Sequence, residues 1–297
     1  MYIVGIDIGG TSVKMGVLDA ESGVFVHKES IDTGKLTAAE MATKIGRHFK
    51  TMNEKFGGEI AAAGVVSAGL VQPDKGIVTA NNLGWIEQPI GSLLQQELGV
   101  PVALDNDVQG ALYGEYKMGI CKGLSSAVYL TLGTGIGGAF IFNGQLFRGV
   151  RNEGGEIGHL VTHADGEECA CGGKGCWEVY ASATALKRYA GGVSPQEIFA
   201  RVKEGDEEMK AVLKHYVHEL CIGLASLNSM LRPEMIVIGG GLSGAGSALL
   251  DPIMKELTMC SPSIPNGAVP NVRLASRGND AGMLGAALIA KDRLLNA

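Results

Sequence analysis

"YIVGIDIGGTSVKMGVLD", residues 2–19, is two apolar runs joined by a Gly-Gly-Thr turn. Residues 2–8 read as a strand buried on both faces, because they are apolar almost throughout. "VKMGVLD" and "GVFVHKES" continue it as an antiparallel meander. The same shape returns at residues 125–147, "SSAVYLTLGTGIGGAFIFNGQLF", with a Gly-Thr-Gly turn between two apolar runs. Each copy opens one half of the chain, which is the mark of an internal duplication. Strands mixed with helices in two similar halves predict two α/β lobes with a cleft between them.

Between and after the copies the pattern alternates. Helices are expected at 37–56, 107–118, 177–190, 195–204 and 206–231, and strands at "EIAAAGVVSAGLV", "PVALDND" and "MIVIGG". In 206–231, Met209, Leu213, Tyr216, Leu220, Leu224, Leu227 and Leu231 recur every three or four residues, giving one buried face. "AGSALLDPIMKEL" and "DAGMLGAALIAKDRLL" read as further helices.

The 297 residues suit one large domain or two ordinary ones. No apolar run is long enough to span a bilayer and no leader pattern opens the sequence, so a cytoplasmic protein is expected. The net charge is −6 and the lysines and arginines are scattered, which argues against nucleic acid or a membrane surface as partner. Glycine is the outlier, at 45 residues against an average usage of about 7%. Its clusters between apolar runs suggest turns where backbone approaches a ligand.

"DIGGT", Asp7 to Thr11, places a carboxylate before two glycines and a hydroxyl. Outward N–H groups and the hydroxyl suit phosphate oxygens, and Asp7 suits Mg²⁺ held through water. A plain structural hairpin has the same appearance. "GTGIGG" at 133–138 and "GGGLSG" at 239–244 formally match a dinucleotide fingerprint. The first leads into a strand, and the second lacks an acidic residue about 20 positions on. They read better as a second phosphate turn and as a glycine turn for a nucleotide's base and ribose. "DNDVQGALYGE", residues 105–115, ends a strand with two acids, which is either surface decoration or a catalytic base.

"GEIGH" and "CACGGKGC" supply His159, Cys169, Cys171 and Cys176, spaced H-x9-C-x-C-x4-C. Three thiolates and an imidazole fill a tetrahedral Zn²⁺ shell with no place for water, so the site would be structural. Gly172, Gly173 and Gly175 give the loop its freedom. The isolated Cys121, Cys221 and Cys260 read as buried thiols. Glu156 and Glu178 flank the knuckle. Spacing leaves them equally as polyol ligands or solvated acids.

Taken together, "DIGGT", "DNDVQGALYGE", "LGTGIGGAFIFNGQLFRG", "GEIGHLV", "CACGGKGCWE" and "IGGGLS" resemble the ROK family (repressors, open reading frames, kinases), nearly end to end and in order. The resemblance implies the two-lobed actin-like ATPase fold, ribonuclease H-like, with a smaller lobe of residues 1–117 and 282–297. Residues 118–281 would form the larger lobe, with the zinc knuckle and a homodimer surface. It implies Asp107 as catalytic base, with Gly69, Asn82, Asn106, Glu156, His159 and Glu178 joining it around a hexose. It also implies ATP and Mg²⁺ held by Asp7, Gly9, Gly10, Thr11, Lys14, Gly133, Thr134, Gly135, Gly137, Gly240 and Gly241. The family's opening motif often reads G-G-T-K; here Ser12 takes the lysine position and Lys14 follows on the same strand face.

The activity so implied is ATP-dependent phosphorylation of a hexose at the 6-hydroxyl, with glucose first and N-acetylmannosamine or N-acetylglucosamine as alternatives. The family's repressors carry an N-terminal helix-turn-helix domain, whereas this sequence opens at the phosphate strand. An intact base and intact phosphate turns disfavour a non-catalytic sugar-binding module. Closure of the lobes on sugar is expected, with hinges near residues 105–120 and 278–282.

Overall fold

The Gly-Gly-Thr turn folds β1 (Tyr2–Ile8) back on β2 (Ser12–Asp19), and β3 (Phe25–Asp32) completes an antiparallel meander. After α1 (Ala38–Lys55), β4 (Ile60–Ser67) adds parallel to β1. A small antiparallel sheet follows: β5 (Leu70–Gln72), β6 (Ile77–Ala80) and β7 (Trp85–Gln88). Then come α2 (Ile90–Leu98), β8 (Val102–Asn106) parallel to β4, and α3 (Asp107–Met118). The main sheet runs β3-β2-β1-β4-β8.

The second copy repeats this plan with β9 (Ala127–Leu132), β10 (Ile136–Phe142) and β11 (Gln145–Phe147). Four helices follow: α4 (Trp177–Ala181), α5 (Ala183–Tyr189), α6 (Pro195–Lys203) and α7 (Glu207–Leu231). Next are β12 (Met235–Gly239), parallel to β9, then α8 (Ser247–Cys260) and β13 (Val272–Leu274), parallel to β12. Its sheet runs β11-β10-β9-β12-β13, the same order counted within the copy. The chain continues into α9 (Ala281–Ala290).

This computed structural model describes residues 1–260 and 269–295. One compact unit comprises Met1–Gly123, Arg148–Gly154 and Asn279–Ala297; the other comprises Leu124–Phe147 and Gly155–Gly278. None of the described helices is long and apolar enough to cross a membrane.

In the first unit the two-residue period of β1 divides its side chains between two cores. Val4, Ile6 and Ile8 pack with Met41, Ile45 and Phe49 of α1 and with Ile90 and Leu94 of α2. Ile3 joins Leu284, Ala287 and Leu288 of α9. Each such side chain contributes about 1.5–3 kcal/mol when fully buried. Glycines let α9 rest directly on the strands: a Cβ at Gly5 would lie 2.1 Å from the Met283 carbonyl oxygen, and one at Gly64 would lie 1.7 Å from that of Ala286.

In the second unit one core joins Val128, Leu130 and Leu132 of β9 to Trp177, Leu213, Tyr216, Leu220 and Leu224. The expected face of α7 is buried from Met209 to Leu227, and Leu231 is half-buried. Gly223 makes room for the Trp177 ring, whose Nε1 donates to the Glu219 carbonyl at 3.1 Å.

Two expected helices differ from the observed ones. The helix read over 177–190 is broken at Ser182, which is extended (φ −83°, ψ 170°) and caps α5 by accepting from Ala185 N at 3.1 Å. The helix read to residue 295 is α-helical only to Ala290, and Lys291–Leu295 forms a π turn. Cys121 and Cys221 are buried thiols, and burial pushes Cys121 up to about 12. The side chain of Cys260 lies outside the described residues.

Candidate active site

The register of the first sheet aligns three strand ends. Ile8 pairs with Ser67, and Ser67 pairs with Asn106, so β1, β4 and β8 finish side by side. At about 4.8 Å between neighbours, Ile8 and Asn106 are separated by roughly 10 Å. The Gly9–Thr11 turn, the Gly69 turn and the Asn106–Asp107 pair all leave from this edge. The carboxyl ends of parallel strands are where open α/β sheets bind ligands.

At the first turn, Gly9 N donates to Ser12 O at 3.0 Å, and Thr33 closes over it, its hydroxyl donating to Gly9 O at 2.7 Å. Gly10 and Thr11 are exposed. Asp7 precedes them, and burial raises its carboxyl above the usual range, with Lys14 opposing that shift. Lys14 faces Asp7 in the β1–β2 register; its Nζ is 3.9 Å from Oδ2 and donates to Asn279 O at 3.2 Å. A buried carboxylate with one distant cation suits a hydrated Mg²⁺. Lys14 therefore stands beside the carboxylate that precedes the Gly9–Thr11 turn.

Asn106 is the N-cap of α3. Its Oδ1 accepts from Val108 N at 2.9 Å and Gln109 N at 3.1 Å, while its Nδ2 donates to Gly69 O at 3.1 Å. Gly69 has φ +93°, and a Cβ there would lie 2.3 Å from Thr79 O, so only glycine fits. Asp107 opens α3, with Oδ1 accepting from Val108 N at 2.9 Å. Asn82 sits in the 3-10 turn between β6 and β7, and its Nδ2 would be 3.1 Å from a Cβ on Gly10. Asn82 is thus brought against the Gly9–Gly10 turn.

The resemblance gives Asp105 no role of its own, and sequence reading takes it as a structural acid supporting the site. It is fully buried and forms a node. Arg148 Nη1 lies 2.7 Å from Oδ2 and 2.8 Å from Oδ1; Arg293 Nη2 lies 2.8 Å from Oδ2; Asn106 N donates to Oδ1 at 2.9 Å. Two arginines from distant segments therefore fix the residue next to the Asn106–Asp107 pair. The only sequence signal was a third polar residue at a strand end.

The second unit repeats the shared edge. Gly239 pairs with Thr131, so the Gly133–Gly135 turn after β9 and the Gly240–Gly241 turn after β12 emerge together. Thr184 Oγ1 donates to Thr134 O at 2.7 Å and Ala183 N to Gly133 O at 2.8 Å, which ties the first of these turns to α5. Gly137 continues into β10, where it pairs with Thr131. Gly240 has φ +78° and packs so close to Leu132 that a Cβ would meet its N and O at 2.7 Å; Gly241 faces open space.

His159, Cys169, Cys171 and Cys176 present ligand atoms all within 4.8 Å of one another. His159 Nδ1 is 3.7 Å from Cys169 Sγ, and Cys171 Sγ is 3.6 Å from Cys176 Sγ. Zn–S bonds of about 2.3 Å at tetrahedral angles imply edges of about 3.8 Å, so the donor set fits zinc. Glu178, in the first turn of α4, bridges this cluster to the glycine turn. Its Oε1 is 3.7 Å from His159 Nδ1, and its Oε2 accepts from Ile136 N at 3.3 Å. A side chain on Gly135 would collide with Oε2. Glu156 is exposed, with Oε2 4.0 Å from His159 Nε2.

The ROK family model matches residues 3–293. A glucokinase of Halalkalibacterium halodurans is 33% identical, over 98% of this chain and 96% of that protein. An N-acetylmannosamine kinase of Haemophilus influenzae is 30% identical, over 100% of this chain and 97% of that protein. Among solved structures, a ROK family glucokinase from Streptomyces griseus in complex with glucose and AMPPNP superposes with a TM-score of 0.86. The identity is 31%, covering 98% of this chain and 100% of that one. With its duplicated sheets and His/Cys cluster, the chain belongs to the ROK family and has the actin-like ATPase fold.

Proposed function

We propose that the protein is an ATP-dependent sugar kinase that converts glucose and ATP to glucose 6-phosphate and ADP. The observation that carries this reading is the common strand edge of the first unit. There a carboxylate, Asp107, and a glycine turn suited to phosphate leave one sheet roughly 10 Å apart. The full-length likeness to glucokinases supports it.

Asp107 accepts the proton of the 6-hydroxyl as the oxygen–phosphorus bond forms and the bond to ADP breaks. Asn106 orients the same end of the sugar, held in place by its bond to Gly69 O. Asn82 and Gly69 complete that wall. Glu156, Glu178 and Nε2 of His159 take the hydroxyls near carbons 1 to 3. Gly10 and Thr11, in the turn that Gly9 closes, and Thr134 and Gly135, in the turn that Gly133 closes, with Gly137 of β10, face the triphosphate, and Gly240 and Gly241 leave room for base and ribose. Asp7 would hold the Mg²⁺ that accompanies ATP and offsets its charge, with Lys14 beside it. His159, Cys169, Cys171 and Cys176 would hold a structural Zn²⁺, and Nδ1 is the His159 nitrogen facing the thiols.

The likeness to N-acetylmannosamine kinases supports a second reading, in which the substrate carries an acetamido group at carbon 2. ADP release measured across hexoses and N-acetylhexosamines decides between them. Glucose is expected to give the highest kcat/KM, and no ADP release with any of these sugars would sink the kinase reading. We propose a cytoplasmic homodimer, which light scattering on purified protein tests.

A further inference from the structure

A cavity of about 470 Å³ opens in the first unit, and none of the proposed catalytic or binding residues lines it. Its size falls in the range of about 300–1,000 Å³ typical of small-molecule sites. Three segments build it: the β5–β6 turn (Gln72–Lys75), the loop Arg148–Asn152, and Arg293. Four cationic side chains line it, Lys75, Arg148, Arg151 and Arg293, with one acid, Asp74; behind the lining Asp105 pairs with both Arg148 and Arg293, and Glu153 with Arg151.

Arg148 is the built element. A single nitrogen, Nη1, makes all its bonds: to Asp105, to Gln109 Oε1 at 2.9 Å and to Asn152 Oδ1 at 2.9 Å. Among the described residues nothing bonds its Nε or Nη2, and 29% of its side chain is exposed. The guanidinium is thus fixed at one corner by a buried carboxylate, with the rest of its fork unspent. A fork held in advance loses little freedom on meeting an anion, and its geometry matches phosphate oxygens. Lys75 is exposed and, among the described residues, has no ion pair. Arg151 is 72% exposed and, among the described residues, its ion pair is with Glu153, at 3.1 Å. In the loop that carries the arginines Asn152 takes φ +62°, which asparagine tolerates, and its Nδ2 is tied to Val71 O at 3.1 Å.

We propose that this cavity is a second anion site that takes a phosphate monoester, with Arg148 as its anchor and Lys75 and Arg151 at its mouth. The occupant adjoins the Asp105 node and so sits one residue from the Asn106–Asp107 pair. The proposal does not rest on which sugar is phosphorylated, and a protein inactive on every hexose would leave it standing.

Calorimetric titration with inorganic phosphate and, separately, with a hexose 6-phosphate tests it on the full chain, in wild type and in a Lys75→Ala, Arg151→Ala variant. Both side chains are exposed, so the variant keeps its fold. Anions held at the glycine turns would bind both proteins alike. The expected result is binding to wild type that weakens at least tenfold in the variant. Loss confined to the hexose 6-phosphate supports the site and assigns the sugar a share in recognition; loss of both assigns recognition to the phosphate alone. Wild type that binds neither anion, or a variant within twofold of wild type for both, overturns the proposal.

Discussion

Asp107 and Asp7 are both carboxylates at strand ends, yet a matching substitution separates them. Asp107→Asn keeps the shape at the head of α3 but cannot take a proton. Its kcat is expected to fall by about 10² or more while sugar affinity is kept. Steady-state rates and a sugar titration check this, and a variant retaining more than about a tenth of kcat refutes the assignment. At Asp7, burial disfavours the charged form and raises the carboxyl in the folded state. A group raised on folding stabilises when protonated, so its contribution is lost as pH rises through the folded value. Asp7→Asn is therefore expected to raise the melting temperature of the ligand-free protein at neutral pH and to remove the fall in stability as pH rises from the usual carboxylate range through the folded value, while lowering kcat with ATP. An unchanged or lower melting temperature would contradict the burial argument. The types at both positions were legible in sequence. The Asp105 node was not, because its arginines stand 43 and 188 residues away and only the fold brings them together.

At the scale of elements, strands with long apolar runs and helices with a clean period were legible, and those with neither were not. The repeated meander, α1, α3 and α7 were readable from pattern. β5, β6 and β7 span only three or four residues each, too short for a period to show, although they frame Gly69 and Asn82. The break at Ser182 carries no glycine or proline to announce it. The zinc knuckle was readable because a ligand set is a matter of residue type and spacing. What pattern could not show is that α4 begins at Trp177, directly after Cys176, so a metal bound at the cluster would hold the turn bearing Glu178. Elemental analysis is expected to find about one zinc per chain after passage over a chelating resin. Cys171→Ser should lose that zinc, melt lower and raise the KM for sugar, since the start of α4 loses its anchor. Active wild type without zinc would refute the site.

Across the whole molecule, the first unit draws on three separate stretches of chain. The third brings α9, every residue of which is buried except the half-buried Gly282. α9 meets α3 backbone to backbone: a Cβ at Gly285 would lie 1.7 Å from the Gly110 carbonyl oxygen. Overpacking of this kind typically costs about 1–3 kcal/mol, and more where backbone must move. Gly285→Ala is expected to destabilise the first unit by at least that much and to speed proteolysis within residues 1–123. Zinc content should stay unchanged, because the ligands belong to the other unit. Equal denaturant midpoints for variant and wild type would show that the contact tolerates a methyl group.

The position of α9 also sets an order of events on the ribosome. Residues 1–123 emerge before α9, so Ile3, Leu18, Ala62 and Ala103, covered in part by Phe25, Tyr113 and Met118, lack the cover of Leu284, Ala287 and Leu288 until these are made. At about 5–20 residues per second, that wait is roughly ten to thirty seconds. Residues 1–123 thus wait for α9, and their half-covered apolar face is the surface that a nascent-chain chaperone would have to shield.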